Sequence, residues 1–169
     1  MFCEDCFESY LSDKEVLWNT KLELAAARDV SIISTALNIP FVLKIKEKYR
    51  DVCRTLSNDL KNFLTTLGVH ICGEIEFDNT QGYVRLMMSD DDPILIKKFC
   101  LDFENRSKAG RVFDADVLTP QGIPVTRQAQ GLSQRKCYIC DLPARLCSAA
   151  GTHNQDEIVK EVDHLLGFG

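Results

Sequence analysis

Residues 69–88 read VHICGEIEFDNTQGYVRLMM. The first half alternates. Val69, Ile71, Ile75 and Phe77 fall on one face, and His70, Cys72, Glu74 and Glu76 on the other. That period of two belongs to a half-buried strand. DNTQG (78–82) is turn chemistry, and YVRLMM (83–88) reads as the return strand. An antiparallel hairpin in mid-chain constrains the fold through what lies on either side of it.

Upstream, SIISTALNIP (31–40) is apolar and β-branched and stops at Pro40, so it reads as a strand. A long helix follows, with Ile45, Tyr49, Val52, Leu56, Leu60, Phe63 and Leu67 as its apolar stripe and Gly68 as its stop. Downstream, Asp92-Pro93 supplies an N-cap with proline at the first helical position. That helix runs to about Asn105 with Ile96, Phe99, Cys100 and Phe103 inward. RVFDADVL (111–118) is the next strand, TPQG a turn and IPVTR (123–127) a short fifth strand. From residue 31 the order is β-α-β-β-α-β. This predicts an α+β protein of ferredoxin-like topology, an antiparallel sheet with two helices on one face, extended by one hairpin strand. A further helix over 12–28 precedes it, with Ser12 and Glu15 spaced as a capping box. The whole chain, 1–169, is expected to be one domain: an α+β core over 31–127, a Cys/His segment over 137–153 and a last helix over 154–166.

Composition narrows the function. The 169 residues are 45% hydrophobic and 27% charged, which suits a globular domain rather than a disordered one. A net charge of −5 argues against nucleic-acid binding by bulk electrostatics. No apolar run approaches the roughly 18 residues of a membrane span, and the acidic start MFCEDCFESYL lacks a basic leader region. A soluble, cytoplasmic protein is expected. There is no glycine-rich phosphate loop and no pattern for a catalytic serine or cysteine nucleophile.

The strand GRVFDADV (110–117) holds the first chemical signal. Strands disfavour aspartate, yet Asp114 and Asp116 share one face. Their side chains project at most about 7 Å apart, close enough to share a Mg²⁺ ion that keeps several waters. Pairing Leu118 with Ile123 across the turn would set Asp116 beside Val125 and Asp114 beside Arg127. The alternative is a solvated face with an Asp–Arg pair. Glu74, Glu76 and Asp78 read as the wet face of their strand rather than as a further metal ligand.

The eight cysteines hold the second signal. Cys137-x2-Cys140-x6-Cys147-x5-His153 offers four ligands suited to tetrahedral zinc, in a structural site with no open position. A buried thiol cluster is the alternative. Cys3-x2-Cys6 is a second, unpartnered knuckle, read as a frayed end. Cys53, Cys72 and Cys100 read as small core residues, and His164 as a surface or capping residue.

GRVFDADVLTPQGIPVTR, then GLSQRKCYIC, PARLC and His153, resembles the CitX family of citrate lyase holo-[acyl-carrier protein] synthases, the apo-citrate lyase phosphoribosyl-dephospho-CoA transferases. Asn38-Ile39-Pro40, Lys44, Lys97 and Glu104 continue the resemblance upstream. It implies transfer of a 5″-phosphoribosyl-dephospho-CoA group from triphosphoribosyl-dephospho-CoA to a serine of the citrate lyase acyl-carrier (gamma) subunit, with loss of pyrophosphate. In that chemistry Asp114 and Asp116 would hold Mg²⁺, with Arg111 and Arg127 as further catalytic candidates. Lys44, Arg135 and Asn38 would bind substrate phosphates, and Lys44, Lys46, Lys48 and Arg50 are candidates for a basic face toward the carrier.

The chain departs from the family pattern. SAAGT stands where a basic run usually precedes the histidine, and PFVLK where PGPxK is usual. Lys14-Glu15-Val16-Leu17 replaces an R-[DE]-x-R, and Ser107-Lys108 a His-Pro. Two other readings therefore stay open: a catalytically weakened or inactive member that binds carrier or precursor, and a zinc-stabilised interaction module.

Overall fold

The computed structural model describes residues 4–168, with side chains from Phe7 onward. Helix α1 spans Glu4–Arg28 and strand β1 Ser31–Leu37. Helices α2 (Phe41–Lys44) and α3 (Glu47–Thr66) precede strands β2 (Gly73–Asn79) and β3 (Gly82–Ser89). Helix α4 (Pro93–Glu104), strand β4 (Phe113–Leu118), and helices α5 (Ala144–Ala150) and α6 (Gln155–Leu166) complete the chain. The architecture is α+β. Its four strands form one antiparallel sheet in the order β2-β3-β1-β4.

Both faces of the sheet are covered. Ile33, Leu37, Met87, Phe113, Ala115 and Val117 pack with Tyr49, Leu60 and Leu64 of α3, Ile96 and Cys100 of α4, and Val162 and Leu165 of α6. Ile32, Val84, Leu86, Met88 and Leu118 face the other way, against Leu17 and Ala25 of α1. Burial on both sides explains why YVRLMM reads as a continuous apolar run: every residue of β3 is buried. β2 sits at the sheet's edge, and there the alternation does not predict burial. Ile75 is exposed, and residues 69–72 lie outside the strand.

Four other expectations are corrected. Ser12 does not cap a helix, because α1 already runs through it. The residues before it, EDCFESYL, contain good helix formers, and a helix once nucleated propagates through them. The inward face of α3 is Tyr49, Cys53, Ser57, Leu60 and Leu64, whereas Ile45 and Leu67 are exposed. Apolarity alone overlooks Ser57, whose hydroxyl pairs with Thr35 Oγ1 at 2.7 Å, and Cys53, whose thiol donates to the Tyr83 carbonyl at 3.3 Å. Cys72 is exposed rather than in the core, while Cys53 and Cys100 are buried.

The fifth strand does not form. Only an isolated bridge, Leu118 to Pro124, continues the sheet, with Val125 N donating to Val117 O at 2.8 Å. Pro124 has no N–H to extend a ladder. The pairing is one residue off the expected Leu118–Ile123, so Arg127 does not come to Asp114. The Cys3–Cys6 knuckle lies outside the residues whose side chains are described.

Two devices seat α1 on the sheet. It ends with Asp29 in the left-handed region (φ 52°), and Val30 N bonds Ala25 O at 3.2 Å. This turns the chain directly into β1. Near its other end, the Asp13 carboxylate accepts from both the backbone N–H and the hydroxyl of Thr80, and the Gln81 amide donates to the Tyr10 carbonyl at 2.7 Å. The β2–β3 turn is thereby clamped to the helix.

Candidate active site

Asp114 and Asp116 lie on the face of β4 that looks toward α1. Their partners in β1 are Ala36 and Ser34, both small, and the space left above them is a cleft of about 230 Å³. Lys14, Leu17, Trp18 and Lys21 of α1 form its roof, and Lys44 of α2 and Gln81 close one end. The cleft therefore pairs two carboxylates with three lysines. Gly82 (φ 78°) keeps Lys44 in place, because a Cβ there would stand 2.8 Å from the Lys44 carbonyl oxygen.

The electrostatics of the pair are strained. Burial raises the pKa of Asp114, the adjacent Asp116 charge raises it further, and Arg135, Lys97 and Lys44 oppose them. Burial likewise lowers Lys21, against the pull of Asp116 and Asp114, and lowers Lys44. Titratable groups perturbed by burial and by each other in a cleft mark a candidate functional site. Buried Lys97 reaches β4 from α4, donating to the Ala115 carbonyl at 2.8 Å and standing 3.5 Å from Asp116 Oδ1.

The arginines gather in a neighbouring hollow around Glu104. This side chain is buried at the end of α4, and burial raises its pKa despite the nearby Arg135 charge. Its carboxylate accepts from Ala115 N at 3.0 Å and pairs with Arg127 at 3.1 Å and Arg135 at 2.8 Å. Arg135 also pairs with Asp114 at 2.9 Å and donates to the Phe113 carbonyl at 3.2 Å. Its guanidinium holds protein groups together, which leaves it little to offer a phosphate. Arg127 keeps a buried Nε with no hydrogen-bond partner among the described residues. Arg111 donates to the Cys137 carbonyl at 3.0 Å and is otherwise exposed. Gly110 is required here because an added Cβ would meet the Glu104 carbonyl oxygen at 1.7 Å.

The third group is the Cys/His set. The ligand atoms of Cys137, Cys140, Cys147 and His153 lie within 4.8 Å of one another. Burial raises the Cys137 thiol, but the N–H groups of Cys140 and Ile139 and the Cys147 thiol outweigh it and bring the pKa down to about 7. Asn38 does not join the aspartates. It lines a mainly apolar pocket of about 350 Å³ beside this cluster, together with Ile39, Pro40, Tyr138 and Ile139.

A family model described as apo-citrate lyase phosphoribosyl-dephospho-CoA transferase matches residues 7–167. The chain belongs to the CitX family. Protein CitXG of Leuconostoc mesenteroides subsp. cremoris is 27% identical over 88% of the chain and 32% of that protein. The apo-citrate lyase phosphoribosyl-dephospho-CoA transferase of Shigella flexneri serotype 5b is 24% identical over 81% of the chain and 75% of its own length. The protein of the same name from Escherichia coli O7:K1 is 31% identical over 42% of the chain and 39% of that protein. No helix among the described residues is long and apolar enough to cross a membrane.

Sequence reasoning on this CitX chain missed Lys21 and understated Lys14 and Glu104. Lys14, Leu17, Trp18 and Lys21 recur at helical spacing, so two lysines flank buried Leu17 and the more exposed Trp18 on the face that lines the cleft. Glu104 stands at a helix C-terminus, where a carboxylate is disfavoured unless it has a partner. The expected basic face on α3 is largely consumed. Lys48 pairs with Asp163 at 2.8 Å, Arg50 with Asp78 at 2.8 Å, and Lys44 turns into the cleft. Glu74, Glu76 and Asp78 are ion-paired on or beside β2, with two strands between them and β4.

Proposed function

We propose that this chain transfers a 5″-phosphoribosyl-dephospho-CoA group from its triphosphate precursor to a serine of the citrate lyase acyl-carrier subunit. The cleft that sets Asp114 and Asp116 among Lys14, Lys21 and Lys44 carries the reading. A triphosphate needs cations to hold it and a carboxylate-bound metal to neutralise it, and the cleft sets lysines and a carboxylate pair side by side. Leu17, which stands where the family pattern carries an arginine, lines the same cleft between Lys14 and Lys21. The strand order β2-β3-β1-β4 supports a ferredoxin-like topology for the transferase.

Asp114 and Asp116 suit Mg²⁺. They offer hard oxygen donors, and Asp116 is exposed enough to leave room for waters and phosphate oxygens. When bound, the ion supplies charge neutralisation on the reacting phosphate and the departing pyrophosphate. Lys14, Lys21 and Lys44 hold the phosphate tail, and Arg135 orients Asp114. The apolar pocket beside Asn38 takes an uncharged part of the precursor. The carrier's serine oxygen forms the new bond to phosphorus, the bond to pyrophosphate breaks, and one of the two carboxylates accepts the serine proton. Because the nucleophile is the partner's, this chain needs none of its own. This is nucleotidyl transfer in type.

The test is the intact mass of apo acyl-carrier subunit after incubation with this chain, triphosphoribosyl-dephospho-CoA and Mg²⁺. A gain equal to the phosphoribosyl-dephospho-CoA group is expected, and none with Asp114→Ala. An unchanged mass with folded protein that still retains precursor would replace the transferase reading by a binding one.

A further inference from the structure

We propose that Cys137, Cys140, Cys147 and His153 bind one zinc ion, and that this ion locks the segment carrying Arg135 against Asp114. The inference does not depend on the transfer reaction.

The first support is geometric. Tetrahedral zinc with Zn–S near 2.3 Å and Zn–N near 2.0–2.1 Å separates two sulfurs by about 3.8 Å and a sulfur from a nitrogen by about 3.6 Å. Here Cys140 Sγ lies 3.9 Å from Cys147 Sγ, Cys147 Sγ 3.4 Å from Cys137 Sγ, and His153 Nε2 3.3 Å from Cys140 Sγ. The Ile139 N–H points at Cys137 Sγ from 3.4 Å, the bond expected of a CxxC knuckle once its sulfur carries negative charge. His153 presents Nε2 to the sulfurs, while its Nδ1 stands 4.0 Å from Glu157 Oε2. At that distance the carboxylate makes no hydrogen bond to the ring, but it places negative charge on the side of the histidine away from the sulfurs.

The second support is what the segment lacks. Between residues 126 and 161 only Cys137 and Cys147 are buried. Leu142 and Leu146, which could have built a small core, are exposed. Tyr138, and Ile158 and Val159 of α6, pack only partly against the main core, so little burial offsets the entropy of ordering the chain between Thr126 and α5. A metal staple is the usual remedy for a unit without a core.

The third is connectivity. Arg135 lies two residues before the first ligand. The Ala144 N–H donates to the Arg135 carbonyl at 2.9 Å, and Cys137 N to the Leu142 carbonyl at 2.8 Å, so the knuckle closes on the backbone of Arg135. The Cys137 carbonyl in turn receives Arg111 at 3.0 Å. Fixing the ligands fixes both arginines where they meet β4. Four protein ligands leave no position for water, so the ion is structural, and its binding releases the thiol protons to solvent.

The test uses the full chain as purified. Elemental analysis should find about one zinc per chain. Replacement by Co²⁺ should give thiolate charge-transfer absorption and tetrahedral bands. Cys147→Ser should lose the metal, and Cys72→Ser, at an exposed cysteine outside the cluster, should keep it. Fully reduced, folded protein that retains no zinc and gives no cobalt spectrum overturns the site. Amide exchange with and without metal tests the lock. Peptides covering residues 131–147 should exchange on the order of tenfold faster in the metal-free chain, while β3 stays unchanged. Equal exchange in both forms overturns the coupling to Arg135. Neither readout involves transfer activity, so each outcome stands whether or not the proposed reaction is found.

Discussion

β4 presents Phe113, Ala115 and Val117 to one side of the sheet and Asp114, Asp116 and Leu118 to the other. The two sides differ in kind. Toward α3 and α4 the strand meets a sealed apolar core, with Phe113 edge-on to Phe103 at 5.9 Å. Toward α1 the aspartates meet lysines across a cleft, and α1 packs tightly only through residues such as Leu17 and Ala25. One six-residue strand thus holds the fold with one set of side chains and, in the proposed function, the chemistry with the other. The strand period makes this division possible, since neighbouring residues need not compromise with each other.

The sharpest way to break this comparison is to truncate each side in turn. Phe113→Ala should destabilise the protein by about 3–5 kcal/mol through loss of burial and the cavity left behind. Asp114→Asn, which keeps the shape and removes a charge, should stay within about 1 kcal/mol of the parent. Urea unfolding of the two variants measures both. Equal destabilisation would mean that the aspartate face is also part of the structural core.

The next effect should appear in transfer alone. Asp116→Asn is expected to lower the rate of carrier modification by about 10²–10³-fold, the scale of losing one electrostatic stabiliser of the reacting group. Its unfolding midpoint should not fall. Rate assays at saturating precursor, set beside urea midpoints, separate the two. A rate within a few-fold of the parent would remove Asp116 from the reaction and leave only its role beside Lys97.

How much of this was legible in the sequence depends on whether the signal was local. Asp92-Pro93 starts α4 as expected, and the Asp92 carboxylate accepts from Ile94 N at 2.9 Å. Asn154 and Glu157 open α6 close to its expected start with a reciprocal capping box. The Cys/His spacing foretold a cluster because the chain between the ligands is short. Register across a turn was not legible, since a single proline decided it. Nor was the partner of each charge. Arg127 and Arg135 converge on Glu104 because a buried carboxylate needs charged partners beyond the Ala115 N–H, and no spacing rule encodes that. Covering the second sheet face was a tertiary choice by α1, and it turned Lys14 and Lys21 from a solvated helix face into the wall of a site.

Lys21 sharpens the comparison on the α1 side. Burial lowers its pKa, so its charge carries a desolvation cost that a bound phosphate would offset. Lys21→Met should lower kcat/KM for the precursor about tenfold, the worth of one hydrogen bond to a charged group. Stability should hold or rise. Steady-state kinetics across precursor concentration checks this. Unchanged kinetics would mean that Lys14 and Lys44 suffice for the phosphate tail.

The smallest effect belongs to the outer seam of the sealed side, where α6 closes over α3. Asp163 accepts from Lys48 at 2.8 Å and from the Tyr49 hydroxyl at 2.9 Å. Burial raises the Asp163 carboxyl, but the hydrogen bonds from Lys48 and Tyr49 outweigh it and hold the pKa below the usual carboxylate value. A pKa lower in the folded than in the unfolded chain gives stability that is fully present above the unfolded value, near 3.9, and is lost as pH falls through the folded one. Lys48 is raised, first by its bond to Asp163, so its share persists until alkaline pH. The pair is therefore intact at neutrality and fails in acid. It is partly exposed and open to screening by salt, so Asp163→Asn should cost only about 0.5–1 kcal/mol at neutral pH. The difference from the parent should shrink as pH falls through the lowered pKa of the folded Asp163 carboxyl, where the parent's own carboxylate becomes protonated. Urea midpoints of both proteins from neutral to acid pH test this. A difference that persists in acid would assign the seam to the apolar packing of Val162 and Leu165 instead of the ion pair.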